Sequence, residues 1–249
     1  MSNFVLKNVR SFAGGVDLTS VNNKFELSGE VEEKETTNYG SNGWKEVIGG
    51  LGSAKITGEG QWEAGDASKV DDSRWAALGT VKEITVCPDG ATVGSVAWIL
   101  SALETKYALG GTVGDVAPWS IDGSSSSHLV RGQIMHPPGT ARTSSGNGTT
   151  AQLGALTTGH TLYANFHVLS VTADSGTPTI TFTVQSDNAT GFPSATTQAT
   201  SSAFTAIGSQ SATVAAPVTD DWWRVGYTIA GGATNPGFLF VVAFGIGLA

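Results

Sequence analysis

Cysteine is almost absent from this chain. Cys87 stands alone in 249 residues, so no intrachain disulfide can form, which suits folding in a reducing cytoplasm. Charge is scarce too: 14% of residues are charged, against about a quarter in ordinary globular chains. That argues against helix bundles, and for a surface that is uncharged or covered by neighbours. Cations are the scarcer sign, with 13 Lys and Arg against 21 Asp and Glu and a net charge of −8. This excludes ordinary DNA binding, which neutralises phosphates with Lys and Arg. It leaves open a surface past which DNA slides without sticking. The longest apolar run, Phe238–Ala249, is too short to cross a bilayer and is broken by Gly245 and Gly247. It reads as a buried strand. The opening MSNFVLKNVRSF has no sustained apolar core, and no signal peptide is expected from it.

What the chain has instead is glycine (33 residues), 40% hydrophobic content and seven tryptophans. Its charge is uneven. Residues 1–126 carry 17 acids and 10 bases, residues 127–249 only 4 acids and 3 bases. A free-standing soluble domain normally uses charge to stay dispersed; assembly into a larger object explains a half with so little.

Strand signals dominate. Lys24–Val31 and Ala54–Trp62 alternate, and Val81–Val86 is β-branched before Cys87 and the turn Pro88-Asp89-Gly90. Cys87 reads as a small apolar residue at a strand end. Val113–Ile121 and His128–Met135 flank a turn at Asp122–Ser127. Thr161–Thr172, Thr177–Gln185, Ala203–Ile207, Ala212–Ala215, Trp222–Ile229 and Phe238–Ile246 follow. Helix signals are thin. Thr92–Tyr107 places Val96, Ile99, Leu100 and Leu103 on one helical face, with Thr92 or Ser95 as cap and Gly110-Gly111 as stop. A single helical turn is expected over Ser73–Leu78, carrying Trp75. Strands at hairpin distances exclude a doubly wound parallel sheet. The expected class is all-β dominated: an antiparallel β-sandwich or barrel with one flanking α-helix over residues 92–107. Pro137–Gly159 is nearly uncharged and small-residue rich, either a linker or an arm that orders on a neighbour. The chain is thus one β domain over residues 1–249, or is subdivided near residues 123–160 around this 137–159 segment.

No catalytic constellation emerges. His160 and His167 lie an odd number of residues apart on one strand, so they face opposite sides. His128 and His136 are too far apart to share a metal. No nucleophile elbow or phosphate loop is present. Glu30, Glu32, Glu33 and Glu35, with Lys34 and Lys45, crowd one segment as a solvated charge run rather than facing each other across a cleft. Neither an enzyme activity, nor a metal, nor a cofactor is expected. Trp222 and Trp223 adjoin in one strand, so one faces inward, and the outward one is a candidate subunit contact.

The segment Leu27–Leu78 is the most informative. An alternating strand runs into the acid-rich Glu30–Tyr39, then come Gly43-Trp44-Lys45, Gly49-Gly50-Leu51, Gly58-Glu59-Gly60-Gln61-Trp62 and an Asp71…Trp75…Leu78-Gly79 turn. Together with Asp17-Leu18-Thr19, Val93–Leu103, Gly114-Asp115-Val116 and Asp220-Asp221-Trp222-Trp223-Arg224-Val225, it resembles the major tail proteins, or tail tube proteins, of long-tailed bacteriophages. The resemblance implies an antiparallel sandwich with a flanking helix. It implies hexameric rings stacked into a hollow tube, and a loop after the second strand, here Glu30–Leu51, that reaches an adjacent ring. Its contact residues would be Glu30, Glu32, Glu33, Lys34, Glu35, Tyr39, Trp44 and Lys45, with Trp222 and Trp223 as further candidates. The implied partners are other copies of the chain, tape-measure, tail-terminator and baseplate or tip proteins, and DNA transiently in the lumen. The implied location is the virion, after assembly in the host cytoplasm, with no membrane involved. A capsid-decoration or receptor-binding β-sandwich protein is the rival reading.

Overall fold

A computed structural model describes residues 5–249; the first four residues of the opening stretch read for a signal peptide lie outside it. In chain order the elements are β1 (Arg10–Ala13), β2 (Val16–Asp17), β3 (Asn22–Glu35), β4 (Val47–Gln61), α1 (Val70–Ala77), β5 (Val81–Cys87), β6 (Val96–Leu109), β7 (Pro118–Ser125), β8 (Val130–His136), β9 (Gly146–Asn147), β10 (Ala151–Gln152), β11 (His160–Thr172), β12 (Thr179–Asp187), β13 (Thr196–Thr200), β14 (Gly208–Ala215), β15 (Trp222–Ala230) and β16 (Gly237–Leu248). These strands pair antiparallel throughout.

One curled sheet of eleven strands runs β14-β11-β16-β8-β6-β5-β1-β2, with β7, β4 and β3 branching in turn from β6. A second sheet of five strands runs β10-β15-β12-β13, with β9 also on β15. Between the two sheets lies an aromatic core in which Phe166 stacks on Phe182 at 5.2 Å and Phe182 meets Phe240 edge-on at 4.9 Å. A second core fills the curl of the amino-terminal strands around Leu18, Ile56, Leu100, Trp119 and Ile121. A third, with Phe12, Cys87, Ile99, Ile134 and Val241, joins β1, β5 and β6 to β8 and β16. Cys87 is fully buried at its strand end, and burial pushes its thiol up to about 12. A thiol reagent is therefore expected to leave Cys87 untouched in the native protein and to modify it at once in denaturant.

The helix expected over residues 92–107 does not exist; that segment is a turn followed by β6. Ser95 N donates to Thr92 O at 2.9 Å, so the residues read as caps close a tight turn that ends at Gly94 with φ +84°. Strand β6 then pairs with β5, β8 and β7. The misreading has a physical cause. Leu100 and Ala102 face the second core while Ala97 and Ile99 face the third, so β6 is apolar on both sides. A strand buried on both faces loses its alternation and imitates a helical stripe. The helix that does form is α1, in the region of the single turn expected at Ser73–Leu78 but begun three residues earlier. Asp71 and Asp72 in its first turn suit the helix dipole.

Three further boundaries move. The strand expected over Val113–Ile121 becomes β7, and the turn expected at Asp122–Ser127 is strand as far as Ser125, because Lys55–Gln61 of β4 supplies its partner. At Ala203–Ile207 only Phe204 bridges, to Ile180, while the edge strand is β13. Pro137–Gly159 folds back on its own chain: β9 and β10 edge the second sheet, and Leu156 bridges Val218.

Three buried titratable groups give the fold a pH dependence. His167 shares a 2.9 Å hydrogen bond with Thr85, and burial, aided by Arg74, lowers its pKa to about 3. His136 stacks on Phe240 at 4.2 Å; burial, then Arg142, lowers it to about 4. Glu104 moves the other way, raised by burial to about 7 against the opposing pull of Arg74. Both histidines bind protons more readily when unfolded, so their contribution is present above their ordinary pKa of 6.5 and is lost as pH falls toward 4. Glu104 binds its proton more readily when folded, so its contribution is present below 4.5 and lost as pH rises through about 7. Going from pH 7 to pH 5, the histidines cost about 2 kcal/mol each and Glu104 returns about 2. A net loss on the order of 1–2 kcal/mol is expected in urea unfolding; an unchanged or higher midpoint at pH 5 would contradict it.

Candidate functional site

The acid-rich segment read as a loop is the outer part of a β-ribbon. Strands β3 and β4 pair from Asn22↔Gly60 to Glu35↔Val47, with irregularities beside Lys24 and between Val31 and Glu33. Up to Lys55, β4 is flanked on its other side by β7. Beyond that point the ribbon has only two strands, and every residue from Gly29 to Ser53 except Ser41 is exposed. The loop proper shrinks to residues 36–46.

That loop is ordered by its own hydrogen bonds. Asn38 Oδ1 accepts from Gly40 N at 2.8 Å, Ser41 Oγ accepts from Asn38 N at 3.1 Å, and Thr36 N donates to Glu46 O at 2.9 Å. Asn42 (φ +48°) and Gly43 (φ +83°) both take the left-handed conformation that a tight hairpin reversal requires. The result holds Tyr39 fully exposed and Trp44 79% exposed. Along the ribbon, Val31 (64% exposed), Val47, Ile48 and Leu51 (80% exposed) are also bare. The stripe Phe25, Leu27 and Val31 shares one face of β3. It begins against the second core and continues outward with nothing over it.

The expected contact residues divide accordingly. Glu30, Glu32, Glu33, Lys34 and Glu35 lie on β3, with alternate members on opposite faces; Tyr39, Trp44 and Lys45 lie at the tip. Lys34 pairs with Glu32, and Lys45 with Glu33 at 3.8 Å. Such exposed pairs contribute under about 1 kcal/mol. Trp222 and Trp223 are not brought to the ribbon but begin β15 in the second sheet. Trp223 is fully buried and its indole N–H donates to Gly154 O at 2.9 Å, so it is a core residue. Trp222 is half-buried and is the member of the pair that reaches the surface.

No protein-family model matches the chain, and no curated protein does. Several solved structures overlap it in backbone course. A protein from the virion of a native gene transfer agent particle has 23% identity and a TM-score of 0.38, over 48% of this chain and 92% of its own. A component of the anti-feeding prophage baseplate has 12% identity and a TM-score of 0.40, over 53% and 97%. The Dit protein of phage SPP1, described as a hub adsorption apparatus, has 14% identity and a TM-score of 0.36, over 97% and 100%.

Among the described residues no group of three or more His, Cys, Asp or Glu is placed to hold a metal, and no helix is long and apolar enough to cross a membrane. The residues missed from sequence are the ribbon's aliphatic side chains Val31, Val47, Ile48 and Leu51. Asn42-Gly43, flanked by Val31 and Val47-Ile48, was the available signal for a long hairpin.

Proposed function

We propose that this chain is a structural subunit of a phage tail, which polymerises as stacked rings of six into a hollow tube that conducts DNA. The observation that carries this reading is the ribbon. A two-stranded hairpin is marginal in water by itself, and this one extends bare aromatic and aliphatic side chains from an ordered tip. Six such side chains bury on the order of 800 Å² per partner when covered, the size of a standard protein interface. The outer edge of β3 adds fourteen residues that pair with β4 alone, an edge open to pairing with a neighbour.

The phage-tail assignment itself is supported by the residue pattern from Asp17 to Gly79, whose distinctive part is this ribbon. An acid-rich subunit suits a channel that must not hold DNA, since like charge keeps phosphates from sticking. In the assembled tail the neighbours are further copies, tape-measure, terminator and baseplate proteins, with assembly in the host cytoplasm.

Negative-stain electron microscopy of the purified protein at rising concentration tests this. Hollow tubes or stacked rings with a central channel are expected. A closed trimer or a monomer at every concentration would contradict it and favour a decoration or receptor-binding protein.

A further inference from the structure

At the foot of the ribbon lies an open groove of about 640 Å³. One wall is the ribbon itself, at Gly29–Val31 and Leu51–Ala54; the other is the end of β7 and its connection to β8, residues 125–129. Resting on the reading of the ribbon as an assembly arm, we propose that this groove receives the ribbon tip of a second copy of the chain, with Tyr39 and Trp44 as the inserted side chains.

Three observations lead to this occupant. The tip presents two large aromatics on a loop already fixed by hydrogen bonds, so insertion costs little ordering. The groove has matching character: Val31, Leu51 and Leu129 supply apolar surface, and Gly52, where a Cβ would meet nothing within 4 Å, leaves space for rings. Charge agrees as well. Lys45 adjoins Trp44 and holds Glu33 only at 3.8 Å, while Glu30 is the one Asp, Glu, Lys or Arg that lines the groove. The tip cannot reach its own groove. The paired ribbon from Val31 to Glu35 extends it by roughly 14 Å at about 3.4 Å per residue, before the loop adds more. Tip and groove are different patches of one surface, so their contact is head-to-tail and does not close, and chains of subunits are the natural product.

Two variants test the pairing. A Cβ at Gly52 meets nothing within 4 Å, so Gly52→Trp fills the groove without disturbing the fold. Tyr39→Ala with Trp44→Ala blanks the tip, and both residues are solvent-exposed. Each variant is expected to keep the wild-type melting temperature and to raise the concentration needed for assembly at least roughly tenfold. Mixed, the two are expected to associate in equal numbers and to grow no further, because each intact tip meets an intact groove and the product offers a blank tip and a filled groove at its ends. Sedimentation velocity reads all three samples. Normal assembly of Gly52→Trp alongside failure of the tip variant would overturn the groove and leave the ribbon arm standing. Normal assembly of the tip variant would overturn both.

Discussion

Replacing Glu30–Ser53 by an Asn-Gly turn yields a folded monomer that no longer assembles. Gly29 and Ala54 are direct cross-strand partners, so a two-residue reversal joins them without moving either strand. The excised residues are exposed except for Ser41, and that serine is covered by the loop that leaves with it. Ala54, Ile56 and Leu27, which anchor the ribbon to the second core, all remain. The fold therefore loses little, within about 1 kcal/mol by thermal unfolding. Assembly loses the arm that was to be covered, so sedimentation is expected to show monomer at concentrations where the wild type forms large particles. Particles of normal size from the shortened chain would remove the ribbon from the account.

Arg74→Ala is expected to be the most damaging point change to the fold, at about 3–5 kcal/mol, or roughly 10 °C in melting temperature. Arg74 is 2% exposed. It projects from α1 to donate to Glu104 Oε2 at 3.1 Å and to Ala13 O at 2.9 Å. Glu104 is nearly as buried, and its other oxygen has no partner among the described residues. Removing the guanidinium strands that carboxyl group in the interior and takes one donor from the Ala13 carbonyl. Because the loss comes from an uncompensated group rather than from the pair's own strength, Arg74→Met with Glu104→Leu is expected to recover most of it. Urea unfolding of the single and double variants measures this. A double variant as unstable as Arg74→Ala would show that the ion pair itself holds α1 in place.

Strand content and the antiparallel pattern were legible because alternation survives wherever one face meets solvent. β15 is an instance: the one-in, one-out reading of Trp222 and Trp223 follows from period two alone, and the structure supplies which is which. Legibility failed where both faces are covered, as at Ala97–Ala102 of β6, since burial on two sides erases the alternation that marks a strand. It failed in the opposite way on the ribbon. Glu32–Glu35 is polar on both faces, and a strand without an apolar face looks like a loop until its partner at Val47–Gly49 is considered. Arg74 was invisible because the group that requires it, Glu104, lies thirty residues away on another element. The groove was equally so, since it joins Gly29–Val31 to residues 125–129 across sheet neighbours that no local pattern reveals.

Amide hydrogen exchange across the ribbon, compared between dilute and concentrated protein, decides whether assembly covers the ribbon. Amides of Val31–Glu35 and Val47–Gly52 are expected to slow at least roughly tenfold as particles grow, while those of β12 and β15 in the second sheet's interior stay unchanged. Ribbon amides that exchange equally fast in monomer and particle would contradict the account.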